Sequence, residues 1–199
     1  MKIVGVGCGP GMLTEEAIGA ISRAEALCGS ERAIDLARDH IRDGCIVRVI
    51  DDYRALRNLP DTTVVLSTGD PMLAGLGYLE GEVIPGISSL QVTLARLKIP
   101  MARVSVVVAH GRDHPAAVRE ALSEVARGKV IFLIADPSFD VRDFAAQFLP
   151  ETPGISITLC ERLGYPDERV ETGTAEAPPI PGHDLFVILV DPGIRGKRE

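Results

Sequence analysis

The stretch Val64 to Gly77, VVLSTGDPMLAGLG, leaves this chain few folds to choose from, and Val83 to Leu90, VIPGISSL, repeats its grammar. Thr62 to Ser67 is β-branched and apolar, which predicts a short buried strand. The run ends at Gly69, and Asp70-Pro71 stands where a helix should begin. An Asp carboxylate caps the open N–H groups of a first turn. A Pro at the first helical position loses no hydrogen bond and already has the required φ. In the second stretch Glu82 to Ile84 is a brief strand and Pro85-Gly86 turns it. Ser88-Ser89 then open an apolar helix reaching Leu97. Both are strand-to-helix corners, the place where open α/β sheets bind ligands. They can face one small ligand together, or both can be ordinary turns.

The rest of the chain fits an α/β protein of two small domains with a cleft between them. Before the first corner, Lys2 to Val6 is a strand followed by a turn punctuated by Gly5, Gly7, Gly9 and Gly11. Thr14 caps a helix through Ser22, Ser30 begins another to about Arg38, and Ile46 to Ile50 is a further strand. Asp52 to Leu59 is a loop with a helical turn. After Lys98 to Arg103 the pattern restarts with a strand from Val104 to Ala109 and a helix from His114 to Arg127. A strand follows from Lys129 to Ala135, then a helix from Pro137 to Phe148 opened by Asp136. Ile155 to Cys160, Arg169 to Thr172 and Leu185 to Val190 are the late strands. The expected domains are 1–101, carrying both corners, and 102–199, with a mixed sheet.

Composition removes several function classes. Of the 199 residues 46% are hydrophobic and only 4% aromatic, without Trp, so a core is affordable but base-stacking platforms are not expected. The net charge is −7, and the only basic cluster is the closing Arg195 to Arg198, which argues against nucleic acid. No apolar run is long enough to span a bilayer, and MKIVGVGCGPG has no signal-peptide pattern, so a cytoplasmic protein is expected. The four Cys and four His show neither CxxC nor HExxH spacing, and no protein-bound metal is expected. A GxGxxG dinucleotide fingerprint would need glycine at position 10 or 12, where Pro10 and Met12 stand. That disfavours a nicotinamide-dependent oxidoreductase. No GxxxxGK[ST] phosphate loop exists either.

VGVGCGPGMLT, AEALCGSERAI, VVLSTGDPMLAGLG and VIPGISSLQVTLARLKIP, in this order, resemble the motifs of the tetrapyrrole methylases. Within that family, SVVVAHGRD and ITLCERLGYPDERVETGT look most like the cobalt-precorrin C5-methyltransferases of cobalamin synthesis. The resemblance implies a homodimer of two-domain chains, with S-adenosylmethionine in the cleft and a cobalt-precorrin as substrate. It also implies that a separate decarboxylating C15-methyltransferase serves the same pathway. Methylation of another corrinoid carbon and a non-catalytic nucleotide-binding module are the alternatives.

By the same resemblance, Gly69 and Asp70 meet the methionine end of the cofactor, with Leu73 lining its pocket and Ser88 and Ser89 at the second corner. Ile134 with Ala135, Cys160 with Glu161, and His183 fall near adenosine-contacting strand ends. Cys8, aligned from the strand, or Pro10, aligned from the Pro-Gly pair, borders the reacting methyl group, and both are candidate substrate contacts. The substrate's carboxylates call for cations in an acidic protein, and Arg112 is the best placed, since arginine grips carboxylates in a bidentate fork. His110 beside it is a candidate proton shuttle. Each has a plain alternative: His110 ending a strand, and Arg112 paired with Asp113 or Glu120. Glu161-Arg162 reads best as an ion pair packing a domain. Asp70→Ala is expected to weaken cofactor binding with the fold intact.

Overall fold

A computed structural model describes residues 1–109, 113–149 and 154–193. The backbone divides into two compact units, Met1–Val92 and Thr93–Glu199.

In the first unit, five strands form a wholly parallel sheet: β1 (Lys2–Gly5), β2 (Ala26–Gly29), β3 (Ile46–Val49), β4 (Val64–Ser67) and β5 (Glu82–Ile84), in the spatial order β3-β2-β4-β1-β5. Successive residues of β1 point to opposite faces, and both Ile3 and Val4 are fully buried, so both faces are covered. Val4, Leu27 and Leu66 pack with α1 (Glu15–Ser22) and α2 (Glu31–Ala37). Thr14 and Ser30 cap those helices through their hydroxyls, as their positions predict.

The other face is covered without long helices. Ile3, Cys28 and Val65 pack against Leu56, Leu76 and Leu79. Leu56 belongs to a 3₁₀ segment, Tyr53–Asn58, in the β3-to-β4 connection, and Leu76 and Leu79 to the connection from β4 to β5. The helix expected after Asp70 is therefore a correction: the chain makes a single turn there. Ala74 N–H donates to Asp70 O at 2.9 Å and Leu76 N–H to Pro71 O at 2.9 Å. Gly75, at φ +83°, then leaves the right-handed region and stops propagation. One turn pins Leu76 and Leu79 to the sheet, and a longer helix would carry them off it.

α3 (Ser89–Leu97) follows β5, and the division between the units falls within it. The second unit holds β6 (Val104–Val108), β7 (Val130–Ile134), β8 (Ser156–Glu161), β9 (Arg169–Thr174) and β10 (Phe186–Asp191), with α4 (His114–Ala126) and α5 (Val141–Ala146). Their order is β6-β7-β10-β8-β9; only β6 and β7 run parallel, giving the expected mixed sheet. α4 and α5 cover one face through Ala117, Ala121, Phe144 and Ala145 against Leu133, Leu159 and Ile188. Phe139, Phe144 and Phe148 meet edge to face at 5.3 and 5.1 Å.

α5 is shorter than the Pro137 to Phe148 helix expected, a second correction. Asp136 closes a tight turn, taking Ser138 N–H at 3.0 Å, and Asp140 caps the real helix through Arg142 and Asp143 N–H, both at 2.9 Å. Phe139 lies between the two caps, 5% exposed and 5.2 Å from the His114 ring. Its burial decides which Asp begins the helix.

Candidate functional site

Strand order determines which turns meet. In the first unit β4, β1 and β5 are neighbours and parallel, so their carboxyl ends lie side by side. Three corners leave that edge: Val6 to Gly11 after β1, Gly69-Asp70 after β4, and Pro85 to Ser88 after β5. Backbone bonds join them. Gly7 and Gly69 exchange N–H and O at 3.3 and 2.7 Å, and Cys8 N–H reaches Ile87 O at 3.0 Å.

Two glycines make this approach possible. A Cβ on Gly86 would stand 2.2 Å from Gly69 O and 2.8 Å from Gly5 C, and one on Gly5 would stand 2.5 Å from Gly86 N. Real Cβ atoms do not come so close to backbone, so the β1-to-β5 contact requires glycine on both sides.

Asp70 ties the arrangement together. Its Oδ1 accepts Met72 N–H at 2.8 Å and Leu73 N–H at 3.3 Å, which is the capping role expected. Its Oδ2 accepts Gly86 N–H at 3.1 Å, so one carboxylate holds two corners in register. Ser88 forms a capping box: its Oγ accepts Gln91 N–H at 3.2 Å while Gln91 Oε1 takes Ser88 N–H at 2.8 Å and the hydroxyl at 2.8 Å. Ser89 begins α3, half-buried, and Leu73 is half-buried on its single turn. Of the five cofactor candidates in this unit, Gly69 and Asp70 make bonds that join the corners, and Ser88 lies against Gly69, where a Cβ would stand 3.7 Å from Ser88 Cα.

Cys8 and Pro10 separate by exposure. Cys8 is buried with Sγ 3.6 Å from Met12 Sδ; Pro10 is exposed at the tip of a turn that Gly7 (φ +80°) and Gly11 (φ +73°) allow.

In the second unit the register places Ile134 and Cys160 on either side of Val187, in one row. The row lies on the face away from α4 and α5, because its neighbours Leu133, Leu159 and Ile188 point into the helical core. Cys160 is 1% exposed, and burial pushes its thiol up to about 11, with the Thr93 hydroxyl opposing and Glu168 adding. Such a thiol stays protonated near neutrality and is no nucleophile.

His183 sits apart from that row, exposed in the loop before β10. Its Nδ1 accepts Leu185 N–H at 3.0 Å, and Nε2 lies 3.2 Å from Arg162 Nη1. The buried Glu161 pins the same loop, accepting Gly182 and His183 N–H at 2.6 and 3.0 Å and lying 3.1 Å from Arg169 Nε. Arg162 bonds Asp167 at 2.6 Å and lies over the Tyr165 ring. Glu161 and Arg162 therefore take different partners, and the expected pair between them is corrected.

His110 and Arg112 lie outside the described residues. Close by in sequence, His114 Nε2 stands 3.0 Å from Asp136 Oδ2, joining the start of α4 to the end of β7. The sequence treated Asp136 as a helix cap only, and nothing in its spacing from His114 signals the contact. The third corner was also missed as a partner of the other two. Its glycines are visible in the sequence, but only the order β4-β1-β5 shows that they lie between the others.

The chain matches the family model for tetrapyrrole (corrin/porphyrin) methylases over residues 2–179. It is 30% identical over 188 residues to a protein of Methanocaldococcus jannaschii named as a probable cobalt-precorrin-7 C(5)-methyltransferase, covering 83% of this chain and 85% of the relative. A cobalt-precorrin-7 C(5)-methyltransferase of Salmonella typhimurium is 24% identical over 184 residues, covering 85% and 88%. Among solved structures, a precorrin-6Y methylase of cobalamin biosynthesis from Archaeoglobus fulgidus superposes with a TM-score of 0.74 at 30% identity, covering 96% of this chain and 97% of that one. With the family pattern running through both α/β units, the chain belongs to the tetrapyrrole methylases.

Proposed function

We propose that this protein is an S-adenosylmethionine-dependent C-methyltransferase of cobalamin biosynthesis that methylates cobalt-precorrin-7 at C5. The observation that carries the reading is the 30% identity, over most of both chains, to a relative named for that step. The backbone cradle of the first unit supports it.

A sulfonium methyl donor is already a strong electrophile, so when bound it supplies the activation that a covalent nucleophile would otherwise provide. What remains for the chain is alignment and exclusion of water. Gly69, Asp70, Leu73, Ser88 and Ser89 are the residues we assign to the methionine end, and Ile134, Cys160 and His183 to the adenosine end. The cradle fits such a ligand because it is built from backbone and small groups, with Asp70 and Ser88 holding it from behind. A carboxylate has lone pairs beyond the three bonds Asp70 makes, so it can also accept from an ammonium or a ribose hydroxyl. Cys8 or Pro10 borders the methyl group, and His110 and Arg112 meet the substrate's carboxylates.

The protein works as a cytoplasmic homodimer, and decarboxylation with C15 methylation falls to another protein. Calorimetric titration with S-adenosylhomocysteine, with NAD as control, tests the cofactor assignment. Saturable binding near one per chain and silence toward NAD are expected; no binding to folded protein overturns it. Incubation with cobalt-precorrin-7 and carbon-13 methyl donor then locates the new methyl group by NMR, and a label at another carbon refutes C5.

A further inference from the structure

The geometry points to a docking place for carboxylate arms of the macrocycle in an open depression of about 520 Å³ lined by Tyr53, Arg54, Arg57 and Tyr78. This inference rests on the proposed substrate and names residues that hold it. The depression is built on the two connections that replace helices on one face of the parallel sheet, and the second of them leads out of the Asp70 corner.

Leu56 is the residue of the 3₁₀ segment that faces inward, 4% exposed, which turns Tyr53, Arg54 and Arg57 outward. Asp52 caps the segment by accepting Arg54 N–H at 2.8 Å. The Tyr78 hydroxyl donates to Tyr53 O at 2.7 Å, locking the two connections together, and the Arg57 guanidinium lies over the Tyr78 ring at 5.1 Å. Burial raises the Tyr78 phenol above its ordinary value, so it remains a donor.

Neither Arg54 nor Arg57 lies within ion-pairing distance of a carboxylate among the described residues. What marks Arg54 and Arg57 is that both guanidiniums line one depression, in a chain with 28 acidic and 21 basic residues. Guanidiniums recognise carboxylates in a bidentate fork, and the tyrosine rings offer a flat apolar wall. An anion with a conjugated body meets both demands. A simple anion satisfies only the first.

The probe is uroporphyrin, a flat porphyrin octacarboxylate, with its methyl ester as the uncharged control. Binding is followed by quenching of porphyrin fluorescence, for the wild type, Arg54→Gln and the Arg54→Gln/Arg57→Gln pair. We expect the acid to bind and the ester not to. The double variant should bind about tenfold more weakly, with S-adenosylhomocysteine affinity unchanged. Equal porphyrin affinity in the double variant and wild type overturns the inference. So does a change of oligomeric state on sedimentation with porphyrin affinity unchanged, which assigns this face to a second copy of the chain. Arginine-dependent porphyrin binding supports the inference whether or not S-adenosylhomocysteine binds, so failure of the cofactor titration strikes the methyltransferase reading alone.

Discussion

Replacing Asp70 by Ala removes three acceptor contacts at once, and their places differ in cost. The bonds to Met72 and Leu73 N–H cap one exposed turn, and losing a cap costs about 1 kcal/mol. The third partner, Gly86 N–H, is buried between corners, and an orphaned buried donor costs about 1–3 kcal/mol. The sum, about 2–4 kcal/mol, moves Tm down by roughly 4–16 °C for a chain of this length. Sequence alone expected this variant to keep its fold and lose only ligand affinity. The tie to Gly86 adds a stability loss. Asp70→Asn separates the contributions: its oxygen can keep the cap, but its amide then faces the Gly86 N–H as donor to donor. Urea unfolding midpoints of both variants, with S-adenosylhomocysteine titration of the folded proteins, provide the comparison. Wild-type stability in Asp70→Ala with weakened ligand binding would refute the tie and reduce Asp70 to a ligand contact.

Gly86→Ala should be harsher than its one methyl group suggests. The new Cβ collides with Gly69 O and the Gly5 backbone, and separating the corners should lower Tm by more than 6 °C or leave the protein insoluble. Glu168→Gln tests the second unit. Arg96 bonds Glu168 Oε1 and Oε2 at 2.6 and 3.2 Å and, with Gly164 N–H, holds its carboxyl below the usual range. A depressed folded-state pKa gives stability present above the unfolded value and lost as pH falls through the folded one. The wild type should therefore exceed Glu168→Gln by about 1 kcal/mol at pH 7 and lose that advantage as pH falls below the ordinary glutamate range, measured by urea unfolding across pH; a constant gap would refute the linkage. Maleimide should label half-buried Cys45 in the native protein and spare Cys160, whose buried thiol stays protonated, until denaturant is added. Mass spectrometry of the labelled peptides reads the order, and prompt native labelling at Cys160 would count against its burial.

How much was legible depended on whether the deciding contact was local. Most strands were, because β-branched runs such as Val64 to Ser67 and Phe186 to Asp191 are bounded by glycine, proline and aspartate, whereas β2, the short ALCG run without a β-branched residue, was not expected. Caps at Thr14, Ser30 and Ser88 were legible because capping acts over three residues. The helix after Asp70 failed although its stop signal was present: Gly75 and Gly77 follow the turn closely, and Pro71 to Ala74 outweighed them on propensity. Asp136 and Asp140 are both plausible caps, and only the core position of Phe139 chooses between them. The His114 contact to Asp136 belongs to the same class, being set by β6 lying beside β7.

The site shows this limit most clearly. Glycines mark each corner in the sequence, yet a glycine says only that a side chain is not tolerated, not what would meet it. At Gly86 the obstacle is the backbone of Gly5 and Gly69, residues 81 and 17 positions away by chain numbering, brought there by a strand order that no local pattern encodes. The polar side chains beside those glycines behave alike: Asp70 spends its carboxylate on three N–H groups, and Ser88 its hydroxyl on Gln91. Side chains that look like ligand contacts in the sequence thus act first on the backbone, and the backbone so held forms the cradle. Substitutions at Asp70 and Ser88 should then change affinity and stability together, whereas substitutions at Arg54 and Arg57, whose one described side-chain contact is that of Arg57 over the Tyr78 ring, should change affinity for a carboxylate ligand far more than stability.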